Sequence, residues 1–157
     1  MLDNALLKGH TMPIISFATT AILLNEHIEK HLEFFTEQAR AKNIEIQIDL
    51  AAGVKIQCNP ELADVLINNL FLNAIRHNVR DGKIEIRLDR HLLTFRNTGQ
   101  DAALDRGRIF NRFEKSDSES QGAGLGLAIV KKIADANHWE ILYSFENGFH
   151  SFGIKFN

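Results

Sequence analysis

The stretch GAGLGLAIVKK, residues 122–132, constrains this chain more than any other. Gly122, Gly124 and Gly126 alternate, and the apolar run Leu127, Ala128, Ile129 and Val130 then opens a helix. Glycine gives up the most backbone entropy on folding, so three of them at a helix start are costly unless bare backbone is needed. Two needs fit. Alternating glycines let backbone amides approach an anion closely, and the helix behind them adds its positive end. The same run would also serve as a hinge. No Gly-Lys-Ser/Thr ends it, so it is not a Walker A loop. A polar segment rather than a strand precedes it, and its spacing is GxGxG, so it is not the dinucleotide fingerprint either.

With 157 residues the chain is long enough for one domain with a real core. Its formal net charge of −2 gives no reason to expect a nucleic-acid partner or an anionic membrane. The single cysteine, Cys58, excludes an internal disulfide framework and fits a reducing compartment. No apolar run approaches membrane-spanning length. Residues 1–8 lack the basic end and long apolar run of a signal peptide. MLDNALLKGH reads as the last turns of a helix that began upstream, so residues 1–13 are expected to be the remnant of a dimerisation helix or linker, and 14–157 the domain.

Along the chain, ISFAT (15–19) alternates weakly, as an edge strand would. Residues 25–42 carry helical spacing, with Ile28, Leu32 and Phe35 on one stripe. IEIQIDL (44–50) and KIQC (55–58) read as strands. Asn59-Pro60 is a helix start, an Asn cap followed by proline at the first helical position, and the helix is predicted to run to Asn78. Residues 83–97 form a strand pair, and a helix is predicted over 126–137. Asn147-Gly148 joins two closing strands. Between 98 and 121 no period is sustained, a length that marks a functional lid or disorder. The implied architecture is an α/β two-layer sandwich with a mixed, mostly antiparallel sheet and helices on one face.

The helix from Pro60 carries Leu62, Leu66, Leu70 and Ala74 as its apolar stripe, with Asn69, Asn73, Arg76 and His77 beside it. At 3.6 residues per turn these four share one face. Asparagine is a poor helix former, and two flanked by leucines have amides to satisfy. Taken alone, a solvated polar face explains them better than a site does. A metal ion bridging phosphates would also satisfy an Asn carbonyl, and Arg76 would meet phosphate oxygens. FRNTGQD (95–101) places a short polar side chain and a glycine at a strand exit, suited to reading a base edge or to a simple turn. IFNRFEKSD (109–117) sets Phe110 and Phe113 in a polar segment, and apolar anchors need a place to dock.

In this order and spacing the pieces resemble the ATP-binding catalytic domain of bacterial sensor histidine kinases. That domain has the Bergerat fold and belongs to the superfamily that also holds gyrase, mismatch-repair and chaperone ATPases. NNLFLNAIRHN looks like the family's N box, NTG its first glycine box, IFNRF its F box and GAGLGLAIVKKI its second glycine box. The resemblance implies a domain that holds magnesium-ATP and passes the γ-phosphoryl group to a His on an upstream dimerisation domain. The implied partners are that domain and a response regulator. The implied setting is the cytoplasmic side of a sensor in the bacterial inner membrane, with no membrane contact by the domain itself.

Carried over by position, the resemblance gives Asn73 the magnesium-ligand place, with Asn69 lining the same site. Arg76 takes the place of a basic residue on the phosphates, and His77 that of a ring beside the nucleotide. Gly122, Gly124 and Gly126 would clamp the phosphates, with the amides of Leu125 and Leu127 pointing in. Arg112 and Lys115 fall where lid cations approach the γ-phosphate. Asn97 and Gly99 take the adenine end.

Two departures stand out. The first glycine box usually reads Asp-x-Gly-x-Gly, and here Asn97 and Asp101 replace the Asp and the second Gly. An Asn oxygen can accept from the adenine amino group as a carboxylate does, and its nitrogen could donate to the adjacent ring nitrogen. His10 in KGHTMPI lacks the setting of a phosphoacceptor and reads as a linker residue, so the chain is not expected to phosphorylate itself. Two alternatives stay open: a nucleotide-binding regulatory module of the same fold, and a serine kinase or ATPase of the superfamily.

Overall fold

Alternating patterns such as IEIQIDL and KIEIRLDR bury one side of a strand and leave the other to water. The central strands of the sheet built from them have that character. The structure, a computed structural model, describes residues 18–105, 109–110 and 121–156, with residues 121–125 as backbone only. Its elements run β1 (Thr20–Leu23), α1 (Leu24–Arg40), β2 (Glu45–Leu50), β3 (Lys55–Cys58), α2 (Pro60–Arg76), β4 (Lys83–Leu88), β5 (Leu92–Thr98), α3 (Gln121–Ala136), β6 (Glu140–Glu146) and β7 (Phe149–Lys155). Five strands form one sheet in the order β2-β4-β5-β7-β6, and β1 pairs with β3 in a separate antiparallel ribbon. Only β2 and β4 run parallel within the five-stranded sheet.

One face of that sheet is covered. Ile84, Ile86, Leu93, Phe95, Phe152 and Ile154 point into a core shared with the helices. An aromatic series links the layers. Phe35 of α1 stacks on Phe71 of α2 at 4.6 Å, and Phe71 meets Phe95 of β5 edge-on at 5.0 Å. The opposite face carries polar pairs, Glu85 with Arg96 and Asp49 with Arg87, and the Arg96 guanidinium lies 4.4 Å over the Phe149 ring.

Local chemistry sets the boundaries. The Asn59 side-chain oxygen accepts from the amides of Glu61 and Leu62, and Pro60 follows, so α2 starts where the sequence places it. α1 ends before a turn in which Asn43 adopts a left-handed φ of 55°. Asn147 and Gly148 both have positive φ, as a type I′ hairpin requires. The Asp89 carboxylate accepts from the amides of His91 and Leu92 and closes the β4–β5 hairpin. Cys58 is fully buried at the end of β3, and burial pushes its thiol up to about 11.

Two expectations need correction. Most of the ISFAT stretch lies outside the described residues, and the first described strand is Thr20–Leu23, paired with β3. α2 ends at Arg76, with His77 as its C-cap. α3 begins at Gln121 rather than 126, so Gly122, Gly124 and Gly126 lie inside the helix and not ahead of it. Packing explains the longer helix: Leu127, Val130, Ile133 and Ala134 of α3 are buried in the core beside α2, and tertiary burial outweighs the poor propensity of glycine. Among the described residues no helix is long and apolar enough to cross a membrane.

Candidate nucleotide site

The site assembles from α2, the exit of β5 and the start of α3. Helical geometry sets Asn69, Asn73 and Arg76 on one face of α2. Asn69 is half-buried, and its Nδ2 donates to the Val65 carbonyl at 2.7 Å. That bond turns Oδ1 toward α3, where a Cβ at Gly126 would lie 2.8 Å from it. Asn73, one turn on, is buried at 6% exposure. Arg76 is exposed in the last turn, where a cation also suits the helix dipole. Among the described residues no three of His, Cys, Asp and Glu converge as a metal site. A divalent cation here would therefore take the Asn73 carbonyl oxygen together with phosphate oxygens, a donor set that suits magnesium.

The second half of the site is the β5 exit. Gly99 sits against the end of α2 so closely that a Cβ there would lie 2.7 Å from the His77 carbonyl oxygen. That oxygen belongs to the backbone and cannot swing aside, so only glycine lets the strand leave along the helix end. Just before it, Asn97 points inward and is 1% exposed. Its Nδ2 donates to the Thr98 carbonyl at 2.8 Å. Its Oδ1 is the one buried side-chain polar atom among the described residues without a hydrogen-bond partner. An orphaned buried acceptor is expensive unless something supplies a donor. One proton of the Asn97 amide nitrogen is thereby spent on the Thr98 carbonyl, which leaves the second as a donor beside the free oxygen.

Asn78 holds the two halves in register. Its Nδ2 donates to the carbonyls of Ala74 and Lys83, at 3.2 and 3.0 Å. Its Oδ1 accepts from the Val79 amide at 2.8 Å and from the Thr98 hydroxyl at 2.6 Å. One buried amide thus joins the end of α2 to β4 and β5. Lys42 adds an ammonium on the carbonyls of Ile75 and Arg76.

Residues 58–154 match the family described as histidine kinase-, DNA gyrase B- and HSP90-like ATPases. The chain belongs to this ATPase family. It is 33% identical over 141 residues to the heme sensor protein HssS of Staphylococcus saprophyticus, covering 86% of this chain and 30% of that protein. It is 33% identical over 120 residues to the sensor histidine kinase RppB of Synechocystis, covering 70% and 26%. With the sensor protein VanSB of Enterococcus faecalis the identity is 32% over 122 residues, covering 72% and 27%. The chain thus spans under a third of the length of these relatives. In fold it is similar to the catalytic domain of histidine kinase ThkA, with a TM-score of 0.79 at 24% identity over 89% of this chain and 95% of that one.

In this ATPase domain the expected site residues divide clearly. Asn69 and Gly126 touch, as do Gly99 and the His77 carbonyl. Leu127 is buried in the core at 4% exposure. Because Gln121 is already helical, the amides of Leu125 and Leu127 fall within the helical ladder. Phe110 packs edge-on against Phe152 at 6.4 Å, so the first of the two expected apolar anchors docks on the core. Arg112, Phe113, Lys115 and His10 lie outside the described residues. Sequence reasoning missed Thr98, Asn78 and the pair His150–Tyr143. The inward alternation of FHSFGIKF marked His150, but nothing local named its partners.

Proposed function

We propose that this chain is the ATP-binding catalytic domain of a two-component sensor histidine kinase. One observation carries the reading: Asn97 keeps a buried, unpartnered acceptor beside Gly99 and the end of α2. The adenine 6-amino group supplies the missing donor. Asn69, Asn73, Arg76, His77, Gly122, Gly124 and Gly126 then line the path from base to phosphates. Asn73 would hold magnesium, which neutralises charge on the phosphates when bound. Arg112 and Lys115 stand as the cations for the γ-phosphate.

The reaction class is phosphoryl transfer to a histidine. The bond from the γ-phosphorus to the bridging oxygen breaks, a phosphorus–nitrogen bond forms on the acceptor imidazole, and ADP leaves. This chain's share is to bind, orient and neutralise. The acceptor His and the group that takes its proton belong to a dimerisation domain beyond this chain. The sensors among the relatives, and a ThkA structure solved in complex with a response regulator protein (TM-score 0.71, 22% identity), support the kind of partner. The parent protein is then a sensor of the bacterial inner membrane, with this domain on the cytoplasmic side.

The test is calorimetry of ADP binding with and without magnesium. The wild-type chain should bind, and Asn73→Ala should lose the magnesium-dependent part while keeping its fold. Unchanged affinity with magnesium removes Asn73 from the site. A second reading, a module that holds nucleotide without transfer, is favoured by Asn97 and Asp101 standing where the family keeps Asp and Gly. A single-turnover assay with γ-labelled ATP and a dimerisation domain supplied in trans separates the two.

A further inference from the structure

His150 lies on the inward face of β7, directly across from Asn97 of β5, and is 4% exposed. Its Nε2 is 2.7 Å from the Gln100 carbonyl oxygen, and its Nδ1 is 2.8 Å from the Tyr143 hydroxyl. A carbonyl can only accept, so Nε2 carries the proton and donates. The Tyr143 oxygen accepts from the Leu104 amide at 2.9 Å, which leaves its own proton for Nδ1. With one proton on the ring, at Nε2, every group in this relay is satisfied. The relay ties both ends of the segment from Gln100 to Leu104 to the sheet. The same ring abuts Gly99, where a Cβ would lie 3.1 Å from His150 Cδ2.

We propose that His150 is a positioning residue of the nucleotide site: as a neutral ring protonated on Nε2, it fixes the root of the segment after the glycine box, and with it Gly99 and Asn97, for an adenine nucleotide. The inference rests on the ATP-site reading above. His150 never touches the reacting atoms; it acts through Gln100, Gly99 and Tyr143.

A second proton on the ring would undo this arrangement. Nδ1 would become a donor, and the Tyr143 oxygen would then accept from both His150 and Leu104. The hydroxyl proton would lose its acceptor in a buried place, and the ring would carry a charge there. Moving the Gln100–Leu104 segment away relieves both costs. The surroundings offer little compensation. β6 presents Tyr143 and the ring of Phe145, whose centroid is 4.7 Å away, and β5 presents the neutral Asn97. On the segment itself Asp101 and Asp105 are exposed, and the end of α2 brings the backbone carbonyl of His77, whose own side chain is exposed. Among the described residues Tyr143 is the titratable side chain hydrogen-bonded to the ring.

The test measures ADP binding by the whole 157-residue chain at about pH 7.5 and about pH 5.5, for wild type, His150→Gln and His150→Phe. Glutamine keeps a donor and an acceptor side by side and takes no proton; phenylalanine keeps the bulk and neither hydrogen bond. Wild type should lose about ten-fold in affinity on acidification, while His150→Gln holds its affinity across the range. His150→Phe should be about ten-fold weaker already at the higher pH, and the Gln variant carries the test if the Phe variant does not fold. Ring 15N shifts of the free protein at the higher pH should report Nε2–H. Binding that is equal in the folded variants, or equally pH-dependent in wild type and His150→Gln, overturns the positioning role alone, as does an Nδ1–H ring. A wild-type chain that binds no ADP at either pH overturns the ATP reading and this inference together.

Discussion

Asn69 of α2 and Gly126 of α3 meet with no room for a side chain between them, since a Cβ at 126 would lie 2.8 Å from Asn69 Oδ1. The Val65 carbonyl holds the amide in that orientation. The contact therefore sets how closely the asparagine helix and the glycine helix approach.

Gly126→Ala sets two effects against each other. Alanine should gain about 1 kcal/mol of helix propensity, and the clash with Asn69 should cost about 1–3 kcal/mol. The single variant is expected to be less stable than wild type by about 1 kcal/mol in chemical denaturation. In an Asn69→Ala background the same change should stabilise by about 1 kcal/mol, because only the propensity remains. A sign that does not reverse between the two backgrounds would refute the contact.

Asn97→Leu should separate stability from binding. It removes an orphaned buried oxygen and also the Nδ2 bond to the Thr98 carbonyl, so stability should stay within about 1 kcal/mol of wild type, while adenine nucleotide affinity falls at least ten-fold. Denaturation and calorimetry on one preparation measure both. A loss of stability well beyond about 1 kcal/mol, more than the one Thr98 bond accounts for, would show that the amide oxygen has a partner in solution.

Much of this architecture is legible in the sequence, for reasons local to a few residues. Asn59-Pro60 caps a helix by its own chemistry, Asn147-Gly148 turns a hairpin by its φ angles, and alternating isoleucines choose a face. What escapes is whatever depends on which strand lies beside which. His150 and Asn97 are neighbours only because β5 pairs with β7, and the Leu104 amide reaches Tyr143 across a long stretch of chain. Glycine propensity put the start of α3 too late, because burial against α2 is a tertiary effect. The face with Asn69, Asn73 and Arg76 was read from helical period alone. The orphaned oxygen of Asn97 became visible only with the Thr98 carbonyl beside it.

Asn78→Ala removes four hydrogen bonds, of which two tie the end of α2 to Lys83 of β4 and Thr98 of β5. The expected loss is about 2–4 kcal/mol, since several buried backbone groups lose their partner together. Urea denaturation measures it. A loss well under about 1 kcal/mol would mean that water or a neighbour replaces the amide.

Acid should weaken the seam between α1 and α2. Burial alone would raise the Asp64 carboxyl, but hydrogen bonds and charge from His27 at 2.8 Å and Lys30 at 2.9 Å outweigh it and hold the group below its usual range. A lowered carboxyl stabilises the fold above its unfolded pKa, about 3.9, and that support is lost as pH falls through the lower folded value. Stability of wild type should therefore drop more steeply below about pH 4 than that of Asp64→Asn. Parallel slopes for the two proteins would show that the pair contributes nothing to folding.

The parallel pairing of β2 with β4 has a kinetic consequence. Glu45 faces Lys83 and Leu50 faces Leu88, with β3 and all of α2 lying between them in the chain. No hairpin can nucleate such a pair, and the closure of that long loop must be offset by contacts made elsewhere first. The β4–β5 and β6–β7 hairpins have short turns and can form early; β2 must wait for α2 to settle. As an outer strand bonded on one side only among the described residues, with Ile48 45% exposed, β2 should also be the first strand of the five to detach when the protein breathes, and the last to return.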